Sequence, residues 1–355
     1  MRPVLILGAS YGSVFATKLL LAGIDVEIVA LPAHADEINR NGTRTIFPLR
    51  GRAPVEVDSR TLPGKLHAST PTAIDPARFG LVVLAMQEPQ YRAPEIQALL
   101  AAIAAARRPC LSIMNMPPLP YLTRIPGIAA GPCRASYAAA AAWDVLDPAL
   151  LTHCSADAQA SRVPGRADTV MEVRLPTNFR AARFASDADT IMLRGLAAGV
   201  DDARLDTPEG PLALPVRLRV HESPFVPLSK WPMLVTGNYR CIESGAVRTI
   251  EAAVHANPAE SALIYGSVLD LLLKLGADER DLVPFTEYAA AADSLTVPSS
   301  AARAIDSGAT HIERVDRLVQ VVAAQKGLRL PALDALVDVV DARLGANRRR
   351  AGAAA

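Results

Sequence analysis

Apolar positions fall in short unbroken runs over the first third of the chain and at helical spacing over its last third. The first run, Val4 to Leu7, enters a loop of small residues, Gly8-Ala9-Ser10-Tyr11-Gly12-Ser13. An apolar helical stretch from Val14 to Leu21 follows, then a stop at Gly23 and a second run from Asp25 to Ala30. Strand, glycine loop, helix, strand is the βαβ unit that binds dinucleotides. The strand delivers the chain to a helix N-terminus, whose unpaired amides attract a pyrophosphate. Gly8, Ser10, Tyr11, Gly12 and Ser13 are therefore candidate cofactor contacts. The loop departs from G-x-G-x-x-G, with Ser10 in the second glycine slot, and an ordinary tight βαβ opening is the alternative.

The pattern continues with a helix over Ala33 to Arg40, closed by Asn41-Gly42, and short strands at Val55 to Asp58 and Leu66 to Ala68. Phe79 to Ala85 and Cys110 to Met114 are buried strands, with a helix from Pro94 to Ala106 between them. Alternating helices and unbroken apolar strands predict a parallel sheet covered on both faces. From Gly131 to Arg219 the periodicity weakens; strands are expected at Thr169 to Leu175 and Ala213 to Val220, and a helix at Thr190 to Gly199. Beyond Lys230 the spacing is helical: Gly245 to His255, Pro258 to Leu275, Ala309 to Lys326 and Pro331 to Leu344. The expected fold class is α/β, a Rossmann-type parallel-sheet domain over 1–220 followed by an all-α domain over 221–345, with a disordered tail at 346–355.

Composition narrows the function classes. The 355 residues carry 37 basic and 36 acidic side chains, a formal charge of +1, so nothing favours nucleic acid or an anionic membrane as a partner. The run Leu99 to Ala106 is too short to span a bilayer. No secretory leader is expected, and four dispersed cysteines without C-x-x-C suit a reducing cytoplasm better than a metal site. Ala-rich helices in the second domain would suit a homodimer.

Several segments, in order, resemble the ketopantoate reductase (2-dehydropantoate 2-reductase) family. They are LGASYGSVFATKLLLAGIDVEIV with EINRNG, FGLVVLAMQEPQ, SIMNMPPLP, and VPSSAARAIDSGATHIERVDRLVQVVAAQKGLRLPALDAL. The resemblance implies NADPH-dependent reduction of a 2-oxo acid, in a cleft between a Rossmann domain and a helical one. NADP is the implied cofactor, with NAD left open, and the implied substrate is a small anionic carbonyl compound.

Carried over residue by residue, the family pattern is incomplete. The arginine expected after the second strand is Leu31, with no acid in its place; Arg40 on the next helix is a distant substitute. The lysine after the fourth strand is Gln87. Asn115 matches the strand-end asparagine that orients nicotinamide and substrate, or it is simply a turn former. The general-acid lysine falls on Met233 when Trp231 is aligned, while Lys230 precedes that tryptophan; Lys230 also fits a solvated helix start. A carbonyl oxygen receiving negative charge needs a donor, for which Lys230 and His311 are the candidates. Counting back from Pro331 puts His311 at the family's glutamate and Glu313 at the next acidic position. Ser299 and Ser300 match a serine pair that holds the substrate carboxylate, or they begin a helix as N-caps. Asn238 and Arg240 sit in a polar break, Thr236 to Arg240, and the Arg240 fork would suit a carboxylate. A non-catalytic dinucleotide sensor and an imine or amino-acid dehydrogenase are the alternatives to a 2-oxo-acid reductase.

Overall fold

The computed structural model describes residues 2–49, 51–156, 160–174 and 176–353. Two compact units result: Met1–Met86 with Gln90–Met114 and Ala142–Pro224, and Gln87–Pro89 with Asn115–Ala141 and Phe225–Ala355. The division expected near residue 220 is thus interrupted twice, because the segments that follow two strands belong to the helical unit.

The first unit begins β1 (Val4–Leu7), α1 (Tyr11–Leu21), β2 (Val26–Val29), α2 (Pro32–Asn41), β3 (Arg44–Leu49), β4 (Arg52–Asp58), β5 (Leu66–Ser69) and β6 (Leu81–Leu84). It continues with α3 (Pro94–Ala105) and β7 (Cys110–Ile113). The chain passes through α4 (Ala130–Cys133) of the second unit. It returns as β8 (Leu151–Ala156), β9 (Ala160–Arg162), β10 (Val170–Val173), β11 (Thr177–Ala182), α5 (Asp187–Asp202), β12 (Leu205–Thr207), β13 (Gly210–Leu212) and β14 (Val216–His221). Leu175, expected to end a strand, lies outside the described residues.

The main sheet has the order β14-β11-β8-β7-β6-β1-β2-β5. Pairing is parallel from β5 to β8, and β11 joins antiparallel. From β1 the chain runs outward to β2 and β5, then crosses back to β6 on the other flank of β1. The carboxyl end of β1 is therefore the topological switch point, where open α/β sheets bind ligands. A second sheet, β4-β3-β10-β9, was not legible in the sequence. It explains why α1 is buried on every side from Gly12 to Leu21, Thr17 and Lys18 included: α1 packs against both sheets, with Thr17 Oγ1 2.9 Å from Thr45 Oγ1 on β3 and the Phe15 ring 5.0 Å from the Phe179 ring on β11.

The second unit holds α6 (Trp231–Met233), a π-helical turn (Leu234–Tyr239), α7 (Ile250–His255), α8 (Pro258–Leu275), α9 (Phe285–Ala292), α10 (Ser300–Asp306), α11 (Val315–Gln325) and α12 (Pro331–Ala353). Two helices start later than their apolar spacing suggests. Thr249 caps α7 by accepting from the Ala252 amide, after a bridge between Ile242 and Val247. The stretch 309–314 is not helical, because Asn347 donates to the Ala309 carbonyl and Tyr239 donates to that of Glu313. The expected tail is also corrected: α12 runs to Ala353, since buried Asn347 bonds the carbonyls of Ile305 and Ala309. Ala354 and Ala355 lie outside the described residues. No described helix is long and apolar enough to cross a membrane.

Candidate functional site

In the first unit, the loop after β1 is shaped by two glycines. Gly8 has φ +109°, and a Cβ there would lie 2.7 Å from the Ala85 carbonyl oxygen and 2.8 Å from Met86 Cγ. A Cβ on Gly12 would lie 2.6 Å from Ile6 Cγ2, so glycine lets the first turn of α1 close onto β1. Ser10 stands at the N-cap but makes no side-chain cap bond, and the Ser13 hydroxyl donates back to the Ala9 carbonyl. Tyr11 opens α1. The two glycines let the loop and the first turn of α1 pack directly onto β1 and the Ala85–Met86 segment, which brings a helix N-terminus to the carboxyl end of β1, the place where such folds bind a pyrophosphate.

Leu31, at the N-cap of α2, is 74% exposed and brings no charge. Arg40 is nine residues along the same helix, about 13 Å away. It donates to the Asp36 carbonyl and pairs with Glu37. Arg40 thus bonds within its own helix, two turns and more from Leu31.

In the second unit, five of the sequence candidates line one small cavity. Gln87, Asn115, Asn238, Ser300 and Glu313 share its wall with Leu234, Tyr239, Ala301 and Ile312. The π-helical turn is the local reason Asn238 reaches it. Its wide backbone is packed at Gly237 against Tyr288, whose hydroxyl occupies the place a Cβ would take, 1.9 Å away, and donates to the Met233 carbonyl at 3.1 Å. The Ser299 hydroxyl donates to the Asn238 carbonyl at 2.6 Å and accepts from the Ala302 amide at 3.1 Å. Ser299 is thus buried as the cap of α10 and as a brace for Asn238, while Ser300 faces the cavity.

Glu313 is the most perturbed group of this site. Its Oε1 accepts from the Glu88 amide at 3.3 Å, and Asn115 also bonds its carboxyl. Burial raises its pKa from 4.5 to about 7, with the Glu88 charge adding to the rise; the Glu88 amide, Asn115 and the charge of Lys230 oppose it. Tyr239 fixes the backbone here. Its hydroxyl donates to the Glu313 carbonyl at 2.5 Å and accepts from the Val315 amide at 2.9 Å. Arg314 pairs with Asp316 and Asp341 and so anchors the start of α11.

Sequence reasoning missed Glu88. It is fully buried, and its two carboxylate oxygens accept from the amides of Ala138 (3.0 Å) and Ala139 (2.7 Å). The available signal was an acid directly after a buried strand, in Gln87-Glu88-Pro89. Lys230 ends the turn Val226–Lys230; it is not among the residues lining the cavity, although its charge acts on Glu313. His311 also lies outside the lining, with Nδ1 3.0 Å from Thr310 Oγ1. Arg240 is corrected: its buried guanidinium donates to the Ala253 carbonyl (2.8 Å), Ser261 Oγ (2.7 Å) and Glu260 (2.7 Å), so it ties α7 and α8 and presents no fork to the cavity.

No family model matches the chain, and no curated protein matches it in sequence. Solved structures do match over nearly its whole length. A ternary complex of D-mandelate dehydrogenase with NADH and anilino(oxo)acetate has a TM-score of 0.65 at 14% identity, covering 98% of this chain and 99% of that one. The 2-dehydropantoate 2-reductase of Methylococcus capsulatus gives 0.64 at 12%, covering 97% and 98%. A ketopantoate reductase from Ralstonia eutropha JMP134 gives 0.61 at 14%, covering 98% and 99%. The chain has the fold of the ketopantoate reductases and of D-mandelate dehydrogenase: a Rossmann-type sheet unit and an all-α unit.

Proposed function

We propose that this protein is an NAD(P)H-dependent reductase of a small 2-oxo acid. The observation that carries the reading is the convergence of Gln87, Asn115, Asn238, Ser300 and Glu313 on one cavity of the helical unit. Such a set of amides, a hydroxyl and an acid suits a carboxylate beside a carbonyl. The glycine loop after β1, in a fold shared with NADH-bound D-mandelate dehydrogenase, supports the dinucleotide.

In this reading the start of α1 at Tyr11 and Gly12 faces the pyrophosphate, since the Gly8 and Ser13 amides donate to the Val29 and Ser10 carbonyls. The bound nicotinamide supplies the hydride. Asn115 and Gln87 orient the carbonyl group, and Asn238 and Ser300 bind the anionic end. Lys230 offsets the negative charge that accumulates as the carbonyl is reduced. Leu31 offers neither the arginine that a 2′-phosphate prefers nor the acid that a free ribose prefers. NADP is the first cofactor to test and NAD the second.

The test is a fluorescence titration with NADPH and NADH, followed by coenzyme absorbance on adding a panel of aliphatic and aromatic 2-oxo acids, with and without amines. Coenzyme uptake and oxidation by one or more oxo acids is expected. No uptake refutes the reading. Uptake without oxidation favours a dinucleotide sensor, and oxidation only with amines favours an imine reductase.

A further inference from the structure

We propose that Glu313 is the proton donor of the reduction and that Glu88 is the positioning residue that holds its carboxyl in place and sets its charge state. This rests on the reductase reading above and deepens it. The geometry favours Glu313 over the two donors that the sequence suggests. Glu313 lines the cavity, whereas Lys230 and His311 do not. Its backbone is held on the carboxyl side by the Tyr239 hydroxyl, which bonds the Glu313 carbonyl and the Val315 amide, so its carboxyl is presented from a fixed non-helical stretch.

Glu88 is built to act on it. Both Glu88 oxygens are tied to consecutive amides, Ala138 and Ala139, and its own amide donates to Glu313 Oε1. One residue thus supplies Glu313 with a hydrogen bond and with a fixed negative neighbour. Two carboxylates buried together disfavour double ionisation.

The other groups that face Glu313 are Asn115, the Lys230 charge, and the phenols of Tyr137 and Tyr239. Burial pushes both phenols up, so neither brings charge at neutral pH. Burial likewise holds the Glu313 carboxyl at about 7, so a large share of it carries a proton at that pH.

The step balances. Hydride from the reduced nicotinamide forms a C–H bond at the carbonyl carbon, and the C=O π pair moves onto oxygen. That oxygen takes the Glu313 proton. The products are the 2-hydroxy acid, the Glu313 carboxylate and the oxidised nicotinamide. The charge of Lys230 then acts on a carboxylate instead of a neutral acid, which favours the transfer.

The experiment compares wild type, Glu313→Gln, Glu88→Gln and Lys230→Met by the pH profile of kcat/KM. Infrared difference spectra report the protonated-carboxyl band independently of turnover. For wild type, kcat/KM should fall about tenfold per pH unit above about 7, with the band fading in step. Glu313→Gln should lose the band and at least about 100-fold in kcat while binding coenzyme as wild type does. Glu88→Gln should move both the alkaline fall and the band to lower pH by about one unit, an effect that a purely structural role would not produce. If Glu88→Gln does not fold, wild type against Glu313→Gln decides the donor.

Retained kcat in Glu313→Gln, or a profile that ignores Glu88→Gln while the band moves, overturns the proposal. So does loss confined to Lys230→Met. Turnover by wild type without the band overturns the donor assignment alone. The band without turnover on any carbonyl compound overturns the reductase reading, and the donor role with it.

Discussion

Replacing Glu313 by glutamine should stabilise the protein at alkaline pH. The side chain is buried, and its pKa is raised from 4.5 to about 7, chiefly by that burial. A group that binds its proton more tightly in the folded state supports that state fully below the unfolded value of 4.5. The support is lost as pH rises through about 7. Above that, the folded protein carries a buried carboxylate at a cost of about 3 kcal/mol relative to low pH. Glutamine keeps the acceptor for the Glu88 amide and never ionises. Relative to wild type, the variant should therefore gain about 3 kcal/mol between pH 5 and pH 8.5. For a unit of this size that is about 6–12 °C in the midpoint. Scanning calorimetry of both proteins across this range is the assay, with the transition of the helical unit followed. Stability curves that run parallel from pH 5 to 8.5 would refute the argument, since they would mean that Glu313 binds its proton equally well folded and unfolded.

Other expectations follow from single contacts. Gly8→Ala puts a methyl 2.7 Å from the Ala85 carbonyl oxygen at φ +109°; it should cost about 1–3 kcal/mol and abolish coenzyme binding, read by melting and by fluorescence titration. Leu31→Arg should raise affinity for NADPH relative to NADH about tenfold, the worth of one charge-assisted bond to a 2′-phosphate; equal change for both coenzymes would remove that ribose from the end of β2. Arg240→Met should lower stability by about 3 kcal/mol, because Ser261, Glu260 and the Ala253 carbonyl lose their shared donor. Its KM for the oxo acid should stay as in wild type, and a selective rise in KM would restore Arg240 as a substrate ligand.

Local pattern was enough wherever an element is defined by its own burial. The runs at β1, β6 and β7 are apolar throughout because both faces of the sheet are covered. The stop at Gly23 and the cap residues Thr249 and Ser299 act within a few residues of themselves. The β3-β4 hairpin and its pairing with β10 were not legible, since β10 lies more than a hundred residues away and its register depends on α1 lying between two sheets. Helix starts at Val315 and Ile250 were misjudged because apolar spacing cannot register a hydrogen bond from Tyr239 or a bridge from Ile242 to Val247.

Residue identity alone determined that a βαβ opening with a glycine loop begins the chain, that a helical unit follows, and that Asn115, Asn238 and Ser300 are polar groups at breaks between apolar elements. Those are properties of short stretches, fixed by backbone sterics and side-chain solvation. Only the tertiary structure decided which polar groups meet. It drew Arg240 into a buried tie between α7 and α8, made Ser299 a brace, and set Glu88 against Glu313 across more than two hundred residues. The physical reason is that a charge state belongs to an environment: what a carboxyl does near neutral pH depends on its burial and its neighbours, and those neighbours are assembled by folding.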